Sequence, residues 1–193
     1  MGWELCIRDG IQALRLGLEA EVAGQAAALR YGLEHGRAVF EEEILRRHGE
    51  LQTRLGRYIL NAKPLVVLTA PVIYSLIVPL VFLDICVTIY QAVCFPAYGI
   101  EKVKRSDYLI FDRSHLAYLN ALEKLNCAYC SYANGLIAYV REIAGRTEAY
   151  WCPIKHAKKA LGAHEHYLAF AAFGDAEAYR RQIAELEEAA KRK

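Results

Sequence analysis

An apolar block from Lys63 to Ile100, "KPLVVLTAPVIYSLIVPLVFLDICVTIYQAVCFPAYGI", constrains the fold more than any other part of this chain. No charged residue follows Lys63 for 20 positions, and Asp84 is the one charged residue between Pro64 and Ile100. A helix needs about 20 apolar residues to cross the hydrocarbon core of a bilayer. We therefore predict that this block inserts into a membrane and that the lipid bilayer is a partner.

The length of the block leaves its topology open, because it is long for one span and short for two. Pro79, near the middle, kinks or breaks a helix. Basic residues mark cytoplasmic flanks, and they stand on both sides of the block: Arg46, Arg47, Arg54, Arg57 and Lys63 before it, and Lys102, Lys104, Arg105 and Arg113 after it. These features predict a re-entrant or short helical hairpin over residues 63–100, turning near Val78–Pro79, with both termini cytoplasmic. The alternative is a single tilted span whose C-terminal part lies along the interface.

Asp84 is costly at membrane depth, and such a residue is by default a functional candidate. The favoured interpretation is a carboxylate near the headgroups or bonded to a helix-end amide.

Residues 1–62 carry an apolar pattern with a period of eleven. Ile11, Val22, Leu33, Ile44 and Leu55 form one series, and Leu18, Leu29, Phe40 and Leu51 form a second. Eleven residues close almost three helical turns, so the apolar stripe is narrow and nearly straight. The pattern predicts a long, coiled-coil-like N-terminal helix that joins copies of the chain into a homo-oligomer. A helix lying on the membrane surface is the competing interpretation.

Residues 101–158 contain a possible metal site with the spacing C-x2-C-x21-C-x3-H. Its four candidate ligands are Cys127, Cys130, Cys152 and His156. Zinc favours four tetrahedral thiolate and imidazole ligands, so the spacing predicts a helical module organised by zinc or iron. If one helix ran from Ser131 to Gly145, it would carry the chain about 21 Å away. The ligands then meet only if Asn134-Gly135 breaks that helix or the return to Cys152 is nearly straight. Cys152-Pro153 is expected to begin a further helix, with Cys152 and His156 on one face.

Two other interpretations of these cysteines remain open. Cys127 and Cys130 could act as a thiol–disulfide pair, since Cys-x-x-Cys near a helix start can have a lowered pKa and exchange electrons with a quinone or a partner thiol. The cysteines could also be small apolar side chains that fill a core. An Fe–S cluster, with Cys94 in place of His156, is a variant of the metal interpretation.

The remaining sequence predicts a helical tail and argues against several classes of function. Residues 159–193 are expected to form a helical tail that Gly174-Asp175 interrupts and recaps. A net charge of +2 without a basic stripe argues against nucleic acid as a partner. No recognised catalytic constellation is present, and the sequence names no small-molecule substrate.

Three segments carry a resemblance: "LTAPVIYSLIVPLVFLD", "LNCAYCSYANGLIAYVRE" and "YWCPIKHA". Through them, from Pro64 to His156, the chain resembles an uncharacterised family of bacterial inner-membrane proteins. The resemblance implies a location in the bacterial inner membrane and implies no activity.

Together these features predict an all-α, membrane-anchored scaffold or assembly protein with a cytoplasmic metal-stabilised module. The alternative is a membrane thiol–disulfide or Fe–S electron-transfer protein that uses Cys127 and Cys130.

Overall fold

A computed structural model describes residues 2–28, 31–34, 37–40 and 42–191, and most of them are helical. The helices are α1 (Gly2–Ala28), α2 (Glu42–Glu50), α3 (Leu55–Leu60), α4 (Pro64–Ser75), α5 (Ile77–Tyr98), α6 (Ala121–Trp151) and α7 (Ala176–Lys191), and two short strands are β1 (Tyr31–Glu34) and β2 (Arg37–Phe40). The chain forms two compact units. One comprises Met1–Asn61 with Asp112–Leu125, and the other comprises Ala62–Phe111 with Asn126–Lys193. The predicted helical class is confirmed, apart from the small antiparallel hairpin.

The prediction of one continuous N-terminal helix is wrong. Helix α1 ends at Ala28, and β1 then pairs with β2 in antiparallel register, with Tyr31 opposite Phe40. The rings of Tyr31 and Phe40 lie 5.3 Å apart, and Phe40 also contacts His48 of α2. Cross-strand aromatic pairs stabilise a hairpin, whereas Gly32, Gly49 and Gly56 weaken a helix. The period of eleven therefore extends across a hairpin and three helices.

The apolar block forms nearly continuous helix, so the predicted turn at Val78–Pro79 is also wrong. Helix α4 ends at Ser75 and α5 begins at Ile77, while Leu76 keeps helical dihedral angles. Because a proline ring clashes with the carbonyl four residues earlier, Pro79 accounts for the interruption after Ser75. The chain nevertheless keeps its helical course, and residues 64–98 together are called the apolar rod.

A left-handed glycine ends the apolar rod and reverses the chain. Gly99 has a φ of 67°, and the amide of Ile100 donates to the carbonyl of Phe95 at 2.9 Å, as in a Schellman motif. Residues 100–111, called the return segment, then run back beside α5. Val103 bonds to Gln91, and Arg105 bonds to Asp84, which precedes Gln91 by two helical turns.

Helix α6 begins at Ala121 and has no break at Asn134-Gly135. Residues Asp112–His115 form a short 3-10 turn before it and do not begin the α-helix. Asn120 caps α6 instead: its side chain accepts from the amides of Leu122 and Glu123, and the Glu123 carboxylate accepts from the Asn120 amide. This reciprocal arrangement is a capping box.

Helix α6 runs parallel to the apolar rod, because residues further along the rod contact residues further along α6. Tyr74 contacts Tyr129, Gln91 bonds to Tyr139, and Tyr98 stacks on Tyr150. Both helices and the return segment share a small core of Phe95, Val103, Leu109, Leu136, Tyr139 and Ile143. Gly135 permits the closest approach, because a Cβ atom there would lie 2.5 Å from the carbonyl oxygen of Tyr108.

Residues 152–191, called the C-terminal segment, are less helical than predicted before α7 begins at Ala176. After α6 this segment forms an isolated bridge between Ile154 and Ala171 and a 3-10 turn over Glu165–Ala169. The interruption at Gly174-Asp175 is confirmed. Gly174 has a φ of 86°, and the Asp175 carboxylate accepts from the amide of Ala178 as the cap of α7.

Candidate functional site

The apolar rod presents its hydrocarbon side chains to the surroundings. It is 35 residues long, with no part of its most apolar 18-residue window buried, and among the described residues it is the one helix long and apolar enough to cross a membrane. Its exposed large side chains are Leu65, Val66, Val67, Leu68, Val72, Ile73, Leu76, Val78, Val81, Phe82, Leu83, Ile85, Ile89 and Val93. In α4, four of them are consecutive, so they surround the whole circumference of the helix.

Helix α5 differs from α4 because five of its exposed apolar residues share one face, with Val81 and Leu83 exposed on either side of that face. Val78, Phe82, Ile85, Ile89 and Val93, called the α5 stripe, follow steps of three and four residues and are all exposed. The opposite face is covered, with Asp84, Gln91 and Phe95 buried. The return segment and α6 provide that cover through the contacts of Asp84 and Gln91.

Asp84 is held by three side chains, a group called the Asp84 cluster. Arg105 donates to both carboxylate oxygens, at 3.3 and 2.6 Å, and the Tyr132 hydroxyl donates at 3.0 Å. Thr88, one turn further along α5, adds a long contact of 3.5 Å. The hydrogen bonds from Arg105 to Asp84 raise the pKa of the Arg105 guanidinium above its ordinary value. Burial, together with the hydrogen bond to Asp84, raises the pKa of Tyr132.

This geometry gives Asp84 a positioning role. The carboxylate is 13% exposed and is compensated by a guanidinium, so it is a buried charge with its partners present. It joins α5 to the return segment through Arg105 and to α6 through Tyr132. Asp84 thus fixes the covered side of the rod, which differs from the headgroup or amide contact expected from the sequence.

Gln91 has a similar role two turns further along α5, in a group called the Gln91 clamp. Its amide oxygen accepts from the backbone amide of Val103 at 2.5 Å. Its nitrogen donates to the carbonyl of Val103 at 3.3 Å and to the Tyr139 hydroxyl at 2.8 Å. The side-chain amide therefore satisfies backbone groups that would otherwise be buried without partners.

The four predicted metal ligands are not brought together. Cys127 and Cys130 lie within α6, and Cys152 follows its last residue. At 1.5 Å per residue, the 22 steps from Cys130 to Cys152 place the two about 33 Å apart along the helix axis. Within residues 2–28, 31–34, 37–40 and 42–191, no group of three or more His, Cys, Asp or Glu side chains could hold a metal ion.

The second half of the predicted site also differs from expectation. Cys152 lies at the C-terminal end of α6, where its amide donates to the carbonyl of Glu148, and it does not begin a new helix. Residues 152–156 are not helical, so Cys152 and His156 share no helix face. The His156 ring instead stacks on Tyr167, and the His156 backbone amide donates to the Tyr167 hydroxyl oxygen at 2.7 Å.

The Cys127–Cys130 pair keeps the spacing of a dithiol but not its expected environment. Both thiols are free, and Cys130 is exposed. The two residues are three apart inside α6, beyond its first turn, where the helix terminus no longer stabilises a thiolate. Cβ atoms at this spacing are about 5–6 Å apart in a helix, whereas a disulfide needs about 3.5–4.5 Å. Oxidation of the pair would therefore deform α6 locally.

His164 and His166 contact α6 through two carboxylates, which the sequence did not suggest. His164 Nε2 lies 2.8 Å from Glu148, and His166 Nε2 lies 3.1 Å from Glu142. Burial raises the pKa of Glu142, but hydrogen bonds from Arg146 and His166 outweigh it, so that this pKa lies below its ordinary value. These pairs fasten the C-terminal segment to α6.

Sequence reasoning missed Gln91, Arg105 and Tyr139 as partners in this site. A detectable pattern was the polar spacing of Asp84, Thr88 and Gln91, which places three polar side chains on one face of an otherwise apolar helix. Their partners lie in the return segment and in α6, so no local pattern identifies them.

Comparison of the chain with protein families, curated proteins and solved structures finds no match.

Proposed function

We propose that this chain is a membrane-anchored assembly protein that holds its helical units at a bilayer through the apolar rod. The carrying observation is the exposure of 14 large apolar side chains on residues 64–98. Burying one such side chain is worth about 1.5–3 kcal/mol, so leaving them all in water forgoes roughly 20 kcal/mol. A typical domain is stable by only about 5–15 kcal/mol. A bilayer removes this cost.

The polar groups of α4 fit the same environment. The hydroxyl of Thr69 donates to the carbonyl of Leu65 at 2.9 Å, and that of Ser75 donates to the carbonyl of Val72 at 2.7 Å. Polar groups in hydrocarbon need partners within the protein. These hydroxyls have them without water.

Basic residues on both sides of the rod support the cytoplasmic face of a bacterial inner membrane as its location. Lys63 precedes the rod directly, and Lys102 and Lys104 follow it in the return segment. Cytoplasmic flanks carry such an excess of lysine and arginine.

Self-association through α1 belongs to the same proposal. Leu14, Leu18 and Val22 are exposed on one face of α1 at steps of four residues. An uncovered apolar seam of this kind suits a second copy of the helix. A zinc or iron centre at Cys127, Cys130, Cys152 and His156 is not part of the proposal, because α6 separates Cys127 and Cys130 from Cys152.

Membrane fractionation tests the anchorage. The full chain, expressed in bacteria, is expected to sediment with membranes, to resist extraction by alkaline carbonate and to require detergent for purification. Recovery in the aqueous fraction without detergent would contradict the proposal.

The second candidate function is thiol–disulfide exchange by Cys127 and Cys130, which the exposure of Cys130 favours. Oxidation would join the two sulfurs and transfer two electrons and two protons to a quinone or to a partner disulfide. Maleimide labelling before and after treatment with a quinone tests it. Loss of both labelling sites in the intact chain, with no loss of the remaining Cys130 site when Cys127 is replaced by serine, would support this function.

A further inference from the structure

The two faces of α5 differ so strongly that they define how the rod meets lipid. The α5 stripe contains only valine, isoleucine and phenylalanine, and it is exposed. The covered face contacts the return segment, in which Glu101, Lys102, Lys104, Arg105 and Asp107 are exposed. Charged side chains are costly in hydrocarbon and avoid lipid. Lipid can therefore reach one side of α5, but it cannot surround this helix.

The stretch of the rod that lipid can surround is short. Helix α6 accompanies the rod from Tyr74 onward, where Tyr74 bonds to Asn126 and Tyr129 donates to the carbonyl of Ile73. Residues 64–72 precede these contacts, about 14 Å of helix at 1.5 Å per residue. The hydrocarbon core is about 30 Å thick. This stretch is long enough to enter one leaflet and too short to cross both.

The far end of the rod carries the side chains found at membrane interfaces. Tyr98 of α5 packs against Tyr150 and Trp151 of α6, with ring centroids 5.4 and 5.3 Å away. Trp151 is exposed. Tyrosine and tryptophan collect at the level of the headgroups. The C-terminal end of α5 thus suits a helix that lies along the surface.

We infer that the apolar rod inserts into one leaflet of a bilayer containing anionic lipid and does not cross it. The uncharged α4 enters the hydrocarbon, and α5 lies along the interface with its stripe toward the acyl chains. The exposed side chains of Lys102 and Lys104 meet anionic headgroups, which attract such basic segments. The chain then enters and leaves on the same side. This inference rests on the proposed anchorage and adds its geometry.

Two terminal tags test the topology. The full chain, with a different epitope at each end, is expressed in bacteria, and antibody access is compared in spheroplasts and in inverted membrane vesicles. Access to both epitopes only in inverted vesicles is expected. Epitopes on opposite sides of a membrane-bound chain would overturn one-leaflet insertion and leave the anchorage standing. A chain absent from the membrane fraction would overturn both.

Two matched substitutions test whether the α5 stripe faces lipid. Ile89 of the α5 stripe is 59% exposed, and Ile137 of α6 is 56% exposed on the side that carries Arg141. With vesicles of phosphatidylglycerol and phosphatidylcholine, Ile89→Asp is expected to lower the partition coefficient about tenfold. Ile137→Asp should leave it within about twofold, and vesicles of phosphatidylcholine alone should bind the unchanged protein more weakly.

The remaining outcomes contradict the inference. Equal partition of the two variants would show that the α5 stripe does not face lipid. Conversion of an oligomer to monomers by Ile89→Asp, with unchanged partition, would show that a second copy of the chain covers the stripe.

Discussion

At the scale of single residues, Asp84 illustrates how a carboxylate is kept on a helix that is otherwise apolar. Arg105 neutralises it from the return segment, and Tyr132 donates to it from α6. Removing one member of such a pair leaves the other without its partner, which costs more than the pair itself is worth. The Asp84 cluster thus determines where the return segment lies.

Replacement of Asp84 by alanine is expected to destabilise the protein by about 2–3 kcal/mol, because it removes hydrogen bonds to a charged group. Thermal unfolding in detergent, followed by circular dichroism, measures the loss. Asp107→Ala, an exposed aspartate of the return segment, serves as the control and should change stability by less than about 0.5 kcal/mol. Equal melting temperatures for the two variants would contradict the role given to Asp84.

Glu142 predicts a pH dependence of stability. Its pKa is lowered in the folded state, despite burial, by the hydrogen bonds from Arg146 and His166. A carboxylate of this kind contributes stability above its unfolded pKa and loses that contribution as the pH falls through the folded value. Glu142→Gln should therefore cost about 1 kcal/mol near neutral pH and progressively less below about pH 4.5. Unfolding by denaturant across this range, with Glu101→Gln as the control, tests the difference.

At the scale of elements, the sequence predicts the apolar helix and the cap at Gly174-Asp175, because both depend on residues close together in the chain. It does not predict the hairpin of β1 and β2. Phe40 belongs to the series with a period of eleven, yet its ring packs against Tyr31 and His48. The four residues of the predicted cysteine site are not brought together for a similar reason. The sequence offers Gly135 as a helix break, but this glycine serves as the place where Tyr108 approaches α6. Tertiary packing determines both outcomes.

The continuity of α6 gives a distance that spectroscopy can measure. Cys127 and Cys152 are 25 residues apart, about 37 Å along a straight helix. With the other four cysteines replaced by alanine, spin labels at these two positions should show an electron–electron distance of about 35–45 Å. Labels at Cys127 and Cys130 provide the short-distance control. A distance below about 15 Å for the first pair would revive the metal site.

At the scale of the whole molecule, two exposed apolar surfaces call for two different partners. The apolar rod suits lipid because its exposed side chains are uncharged along its whole length. The face of α1 suits another helix because it is narrow and bordered by acidic residues such as Glu19 and Glu21. We propose that the first surface anchors the chain and that the second joins copies of it.

A pair of leucines in α1 tests the second surface. Leu18 lies on the seam with Leu14 and Val22, whereas Leu16 lies on the other side of the helix; they are 64% and 58% exposed. Leu18→Glu is expected to weaken self-association in detergent by about tenfold or more, and Leu16→Glu should leave it unchanged. Light scattering after size-exclusion chromatography gives the molar mass. A monomeric unsubstituted chain would exclude this role for α1.

The absence of a side chain at Gly135 sets how closely the return segment can approach α6. A single methyl group there would collide with the Tyr108 carbonyl, and backbone cannot rotate aside as a flexible side chain can. Alanine, the mildest replacement by size, would thus be among the more disruptive changes available to this chain, since it would separate the layer that shields the polar side of α5.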